Sequence, residues 1–250
     1  MKHKLLTAFC LALAFIMLLL TACSGGGEAG EPDSEGGAVK TTTRVAANVS
    51  QEQTEESGAY VCPIDFEAWQ KQNDDIYSWL EIPGSEISFP VFQHPTENEY
   101  YLRRDINGNY SVGGVLFTEV DYNHKDYNDP VTIIYGHDMQ NETMFGPLQE
   151  MYSSDEGLAK YQTVKVYLPD RELTYQVFAC VPYDNRHILY NYDFSDPEIF
   201  GRFFYEISQI NEMQSVFGKV SLQTTDKILI LSTCLSGSSD GRYLVCAKLI

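Results

Sequence analysis

Basic residues are scarce in this 250-residue chain: 17 Lys and Arg stand against 35 Asp and Glu, a net charge of −18. Affinity for nucleic acid comes largely from neutralising phosphates with Lys and Arg, so no nucleic-acid partner is expected. Neither a CxxC nor an HxxxH spacing occurs, so no metal site is expected either. No internal repeat recurs along the chain. Residues 24 to 60 hold Gly, Ser, Glu and Thr and almost no large apolar side chain. Such a stretch cannot bury enough surface to offset its ordering entropy, and it reads as a flexible tether.

What precedes that stretch is informative. "MKHK" is a short basic start whose charges are Lys2 and Lys4, and "LLTAFCLALAFIMLLL" follows with no charge at all. This is the pattern of an export signal rather than of a folded element. The stretch Leu20-Thr-Ala-Cys23 resembles the lipobox of bacterial lipoproteins, which implies cleavage before Cys23 and lipid attachment to its thiol. The alternative is an uncleaved anchor, since the run from Leu5 to Ala22 is just long enough, at about 18 residues, to span a bilayer. Small residues placed directly before a Cys favour the lipobox. Both readings put the remainder outside the cytoplasm, on the outer face of the membrane. The expected organisation is therefore a signal over 1–22, a lipidated Cys23 with its tether over 23–60, and one folded domain over 61–250.

That domain opens with "DFEAWQKQNDDIYSWLEIPG", in which Phe66, Trp69, Ile76, Tyr77 and Leu80 recur near helical spacing until Pro83-Gly84 stops the pattern. β-rich runs follow at 87–92, 113–117, 131–136, 163–168, 173–181, 227–233 and 243–249, most of them bounded by turn residues. Strands this frequent predict a mainly β domain, either an antiparallel sheet or a closed barrel. Two helices interrupt them. A short one is expected over 142–151, with Met144, Phe145, Leu148 and Met151 on one face. The other runs over 195–213, with Ser195 or Asp196 as cap, Pro197 in the first turn, an S-x-x-E box to Glu198, and a stripe of Ile199, Phe203, Ile207 and Ile210.

The chemistry centres on Cys234, delivered by the run Ile228–Leu231 into a loop of Ser and Gly. With Cys62, Cys180 and Cys246 it makes four thiols in the domain, and an exported domain can form disulfides. Cys234 is a core thiol, half of a disulfide with Cys246, or a nucleophile at a strand end. A nucleophilic Cys needs a basic or cationic neighbour, usually His. His137 is the best placed, directly after a β-run and a Gly; His94, His124 and His187 read as surface residues. Arg242 opens the last β-run, and its permanently charged planar fork suits a carbonyl or a developing oxyanion.

Taken together, "IIYGHDM…MFGPL" and "ILSTCLSGSSDGRYLVCAKL" resemble the His motif and the Thr-Leu-x-Thr-Cys to Arg motif of sortases, class B most closely. The resemblance extends through "WLEIPGSEISFPVFQ" and "YYLRRDINGNYSVGGVLF" to cover about residues 65 to 250. It implies a closed eight-stranded sortase β-barrel, with a helix ahead of it and another inserted between late strands. It implies Cys234 as nucleophile, His137 as general acid/base, and Arg242 at the scissile carbonyl, with no cofactor. It further implies a transpeptidase that cleaves a C-terminal sorting signal after Thr, of the Asn-Pro-x-Thr kind or a Pro-rich variant. The partners would be surface proteins bearing that signal, and a cell-wall precursor amine or a pilin amine. Two departures stand out: Ile230 where the motif usually has Thr, and Asp138 where class B usually shows Asn after the His. An ionised Asp138 close to His137 would raise its pKa. The lipobox also departs from the usual uncleaved sortase anchor. Two rivals remain: a cysteine peptidase or cell-wall amidase, which would release free acid even with amine present, and a surface lipoprotein with an inert Cys234.

Overall fold

The computed structural model describes residues 60–210 and 220–250. The expected signal over 1–22, Cys23 and almost all of the expected tether lie outside the described residues. So does the end of the helix expected to run to residue 213.

Eight strands close into a barrel: β1 (Ile76–Glu81), β2 (Ser88–Phe92), β3 (Leu116–Phe117), β4 (Val131–Tyr135), β5 (Thr163–Tyr167), β6 (Glu172–Tyr183), β7 (Ile228–Cys234) and β8 (Arg242–Leu249). Their order around the barrel is β1-β2-β3-β4-β7-β8-β6-β5. The expected closed eight-stranded barrel is present, but it is mixed rather than antiparallel. The β2–β3 and β4–β7 seams are parallel. A parallel seam needs a long crossover, because its strands run the same way and no tight hairpin can join them. Among its described residues, the crossover between β4 and β7 contains two strands and four helices: α2 (Leu148–Met151), α3 (Asp155–Lys160), α4 (Ile188–Asn191) and α5 (Pro197–Ser208).

Strand alternation divides the barrel into two faces. Leu229, Leu231, Tyr243, Val245, Ile134 and Val177 belong to the interior core. The intervening residues Ile228, Ile230, Ile133, Leu244 and Cys246 face outward, against Phe200, Phe203, Phe204 and Ile207 of α5. Strand β7 is therefore buried on both sides, which is why it reads as an unbroken apolar run. This also accounts for Ile230: it is fully buried in the core beneath α5. A hydroxyl there would need a partner that this apolar layer does not offer.

Three expectations need correction. The first helix is only α1 (Phe66–Gln70), capped by the Asp65 side chain accepting from the Ala68 N–H. The apolar residues after it form β1, buried toward the interior by Tyr77 and Leu80 and toward α1 by Ile76 and Trp79. Burial on both faces removes the alternation that marks a strand, leaving a spacing that imitates a helix. The helix expected over 142–151 is confined to α2, because Pro147 occupies the cap position and cannot follow a helical turn without clashing. The residues before it fold back as a loop, with Glu142 and Met144 at positive φ and the Phe145 N–H donating to the His137 carbonyl. Finally, Asp196 caps α5 by accepting from the Glu198 N–H, while the Ser195 hydroxyl donates to Asp193 and makes no capping box.

Candidate active site

The positions of His137, Cys234 and Arg242 follow from strand register. Parallel pairing sets Tyr135 opposite Ser232, and the Gly136 N–H donates to the Ser232 carbonyl at 3.1 Å. The same offset carried two residues further puts His137 beside Cys234. On the other side of β7, Cys234 is paired directly with Arg242 of β8. Alternation then places all three on one face. Cys234 follows Ile230 and Ser232, Arg242 precedes Leu244, and His137 follows Ile133 and Tyr135. This is the outward face that α5 covers lower down and leaves uncovered at the strand ends. Cys234 is exposed there, the one outward residue of β7 without a lid.

Gly136 has a steric reason to precede the histidine. A Cβ at this position would lie 2.4 Å from Leu116 Cδ2 and 2.6 Å from Phe145 Cδ2, so only glycine lets β4 pass between those buried side chains. Beyond it, His137 Nε2 lies 2.8 Å from the Leu102 carbonyl oxygen, in the 3-10 turn Tyr100–Arg103. A carbonyl only accepts, so Nε2 carries a proton in this arrangement and Nδ1 is the nitrogen left to exchange one. The Asp138 carboxylate is engaged by Gln149 Nε2 at 3.3 Å, not by His137. Burial holds the Asp138 carboxyl above the usual carboxylate value, and the Gln149 hydrogen bond works against that shift.

The remaining thiols separate cleanly from Cys234. Cys246 pairs with Ile230, four residues from Cys234 along β7, a separation of roughly 13 Å at strand spacing. That is far beyond disulfide reach, and all four cysteines of the described domain are free. Burial pushes the Cys246 thiol up to about 12 and the Cys180 thiol well above its ordinary value. A thiol that cannot ionise is a poor nucleophile. Cys180 and Cys246 are core residues.

A cavity of about 310 Å³ opens onto the triad, bounded by His137, Cys234 and Arg242 on one side. The rest of its wall is Tyr183 of β6, which pairs with Arg242, the segment Asn185 to Ile188, and Glu119, Phe117, Leu102 and Glu99. His187, expected at the surface, is part of that wall. Its Nδ1 accepts from the Tyr190 N–H at 3.0 Å, capping α4, and its Nε2 donates to Glu119 Oε2 at 2.8 Å. The backbone donor at Nδ1 fixes the tautomer that gives Nε2–H to the carboxylate. Glu119 is 4% exposed, so this bond supplies a partner that its burial demands. Nothing in "LFTEVDY" or "DNRHILY" marks these two as neighbours 68 residues apart; the barrel closure alone does that. His94 and His124 stand elsewhere, stacked on Tyr100 and paired with Asp129. A larger hollow of about 800 Å³ lies by the end of α5, lined by Asp184, Glu206 and Asp240 among others, and no candidate catalytic side chain lines it. Among the described residues no group of three or more His, Cys, Asp or Glu side chains is arranged to hold a metal ion.

The sortase domain model matches residues 80–250. Sortase B of Staphylococcus aureus is 27% identical over 187 residues, 74% of each chain, and sortase B of Listeria monocytogenes is 30% identical over 185 residues, 72% of each. Among solved structures, Clostridium perfringens sortase B superposes with a TM-score of 0.64 at 25% identity, covering 74% of this chain and 99% of that one. A Staphylococcus aureus sortase B–substrate complex gives 0.63 at 28%, covering 74% and 84%. The mixed eight-stranded barrel thus carries a class B sortase domain, and the chain belongs to the sortase family of transpeptidases.

Proposed function

We propose that Cys234 is the nucleophile of this transpeptidase, His137 its general acid/base and Arg242 the group that holds the scissile carbonyl. The observation that carries the reading is the three-strand register, which aligns an exposed thiol between an imidazole and a guanidinium at the mouth of one cavity. In the first step the Cys234 thiolate attacks the carbonyl carbon of a Thr in a C-terminal sorting signal. The C–N bond breaks, and His137 gives its proton to the departing amine. Arg242 donates to the oxygen on which negative charge gathers. In the second step an acceptor amine attacks the thioester, His137 takes the proton that the amine loses, and the thiolate leaves. Both carbonyl-centred steps use the same donors, as two-step covalent catalysis requires.

The acceptor in this reading is an amine of a cell-wall precursor, or of a pilin. The N-terminal sequence supports attachment to the outer face of the membrane through a lipid on Cys23, with an uncleaved helix as the alternative. Confinement at one surface raises the effective concentration of enzyme near a membrane-held substrate and a lipid-linked acceptor. Loss of lipid labelling and of membrane retention in Cys23→Ala supports the lipid anchor; unchanged processing contradicts it.

The reaction is tested with a sorting-signal peptide incubated with the enzyme with and without an amine acceptor. Amide product that rises with acceptor, with parallel lines in ping-pong plots, supports transpeptidation. Free acid alone at saturating amine contradicts it and points to a peptidase.

A further inference from the structure

The β4–β7 ladder ends just where the chemistry begins. Its last backbone rung is the Gly136 N–H to the Ser232 carbonyl. In a continued parallel ladder, the next carbonyl pointing the same way, that of Cys234, would meet the N–H of residue 138. It does not, because the chain after His137 turns away and pairs Asp138 with Met144 instead. The missing rung is filled by a side chain. Gln149, the second residue of α2, donates from Nε2 to the Cys234 carbonyl at 3.3 Å and to Asp138 Oδ2 at 3.3 Å. Its Oε1 accepts from the Ser236 N–H at 3.0 Å. One amide therefore joins the thiol's own carbonyl, the loop two residues past it, and the residue next to the histidine.

We infer that Gln149 is a positioning residue: it prolongs the strand pairing by one side chain and fixes Cys234 relative to His137. It rests on the reading of Cys234 and His137 given above. The carboxamide is suited to this because it offers two donors and an acceptor on a short stem. A carboxylate of the same size keeps the acceptor and loses both donors. The departure at residue 138 fits the same scheme, since an ionised Asp138 is an acceptor only and a donor must come from its partner.

The test uses the full chain, three variants, Gln149→Ala, Gln149→Glu and the exchange of Asp138→Asn with Gln149→Glu, and His137→Ala with and without Gln149→Ala. In the exchange, the carboxamide placed at position 138 donates to the carboxylate placed at position 149, which still accepts from the Ser236 N–H, so the bridge from residue 138 to the loop past Cys234 is restored while the Cys234 carbonyl alone stays without its donor. For peptide plus amine, Gln149→Ala is expected to lower kcat about 10- to 100-fold with KM within threefold and melting unchanged. Gln149→Glu should be at least as slow as Gln149→Ala. The exchange should recover at least fivefold over Gln149→Glu. Alkylation of Cys234 provides an arm independent of any peptide. His137→Ala should slow it in the Gln149 background and make little further difference in Gln149→Ala, a coupling read by a double-mutant cycle. Should Gln149→Ala fail to fold, the two isosteric variants carry the test. A kcat within twofold of the parent in Gln149→Ala, or the same His137 effect with and without Gln149, overturns the inference. An inactive parent enzyme whose Cys234 alkylation still shows the coupling would instead count against the proposed reaction and leave Gln149 in this role.

Discussion

The two sides of the cavity are built by different means. One side is a ladder of three adjacent strands, in which Cys234 pairs with Arg242 and the register of β4 on β7, running to the Gly136–Ser232 rung, brings His137 to the same end. Another part of the wall is a loop and a one-turn helix held by side chains, chiefly the His187–Glu119 bond and the cap that His187 gives to α4. A ladder is rigid because each rung is supported by the next, and the buried β7 cannot shift without exposing two apolar layers. A wall pinned by a few side chains can alter with single substitutions. Register thus fixes one part of the cavity, and a few side-chain bonds hold the other.

The largest effects should come from the ladder. Cys234→Ala removes the nucleophile and is expected to leave no acyl transfer above background. His137→Ala should cost about 10²- to 10⁴-fold in kcat/KM, the usual range for a general acid/base. Melting should be unchanged in both, measured beside steady-state kinetics. Equal losses from two wall residues would erase the distinction between the sides.

Next comes the support of the ladder. Gly136→Ala forces a methyl into space held by Leu116 and Phe145, an overpacking worth about 1–3 kcal/mol of stability. Since β4 must move to admit it, activity should fall as well. Chemical denaturation and kinetics on the same sample check both, and an unperturbed variant would show that the strand end is looser than described.

The wall should yield smaller and different changes. His187→Ala leaves buried Glu119 without its imidazole donor and α4 without its cap. A rise in KM of about three- to tenfold is expected, in keeping with roughly 1 kcal/mol for one hydrogen bond or cap, with kcat changed less. A fall in kcat alone would place His187 on the chemical side instead.

The smallest effect at neutral pH concerns the buried thiols. Cys246 is pushed up to about 12 in the fold from an ordinary 9.0, and burial raises Cys180 in the same direction. Their contribution to stability is complete below about pH 9 and is lost as pH rises toward the folded-state values. Each thiol that ionises only in the unfolded chain costs up to about 1.4 kcal/mol per pH unit there. Urea midpoints should therefore fall above pH 9, and the Cys180→Ala/Cys246→Ala variant should lose part of that slope.

How much of this was legible beforehand follows the same division. Motif order singled out Cys234, His137 and Arg242, which the structure brings to one cavity, and the matched offset of the His and Cys from the ends of their β-runs reflects the parallel register that joins them. Frequent strands left an antiparallel sheet or a closed barrel open, and the resemblance to sortases chose the barrel. What could not be read depends on distant chain segments. Strand β1 imitated a helix because it is covered on both faces. His187 looked solvent-exposed because Glu119 comes to it only through barrel closure. Gln149 lay in a segment read as a helix with one apolar face, which directed attention to Leu148 and Met151 rather than to the amide between them.

The most direct test of the central claim is to trap the acyl-enzyme. The full-length protein is incubated with a sorting-signal peptide in the absence of amine, quenched in acid, digested and analysed by mass spectrometry. The expected result is a thioester on the peptide containing Cys234, with the mass of the signal up to Thr, abolished in Cys234→Ala and formed far more slowly in His137→Ala. A peptide adduct on Cys62, or turnover without a Cys234 adduct in rapidly quenched samples and undiminished in Cys234→Ala, would contradict the account.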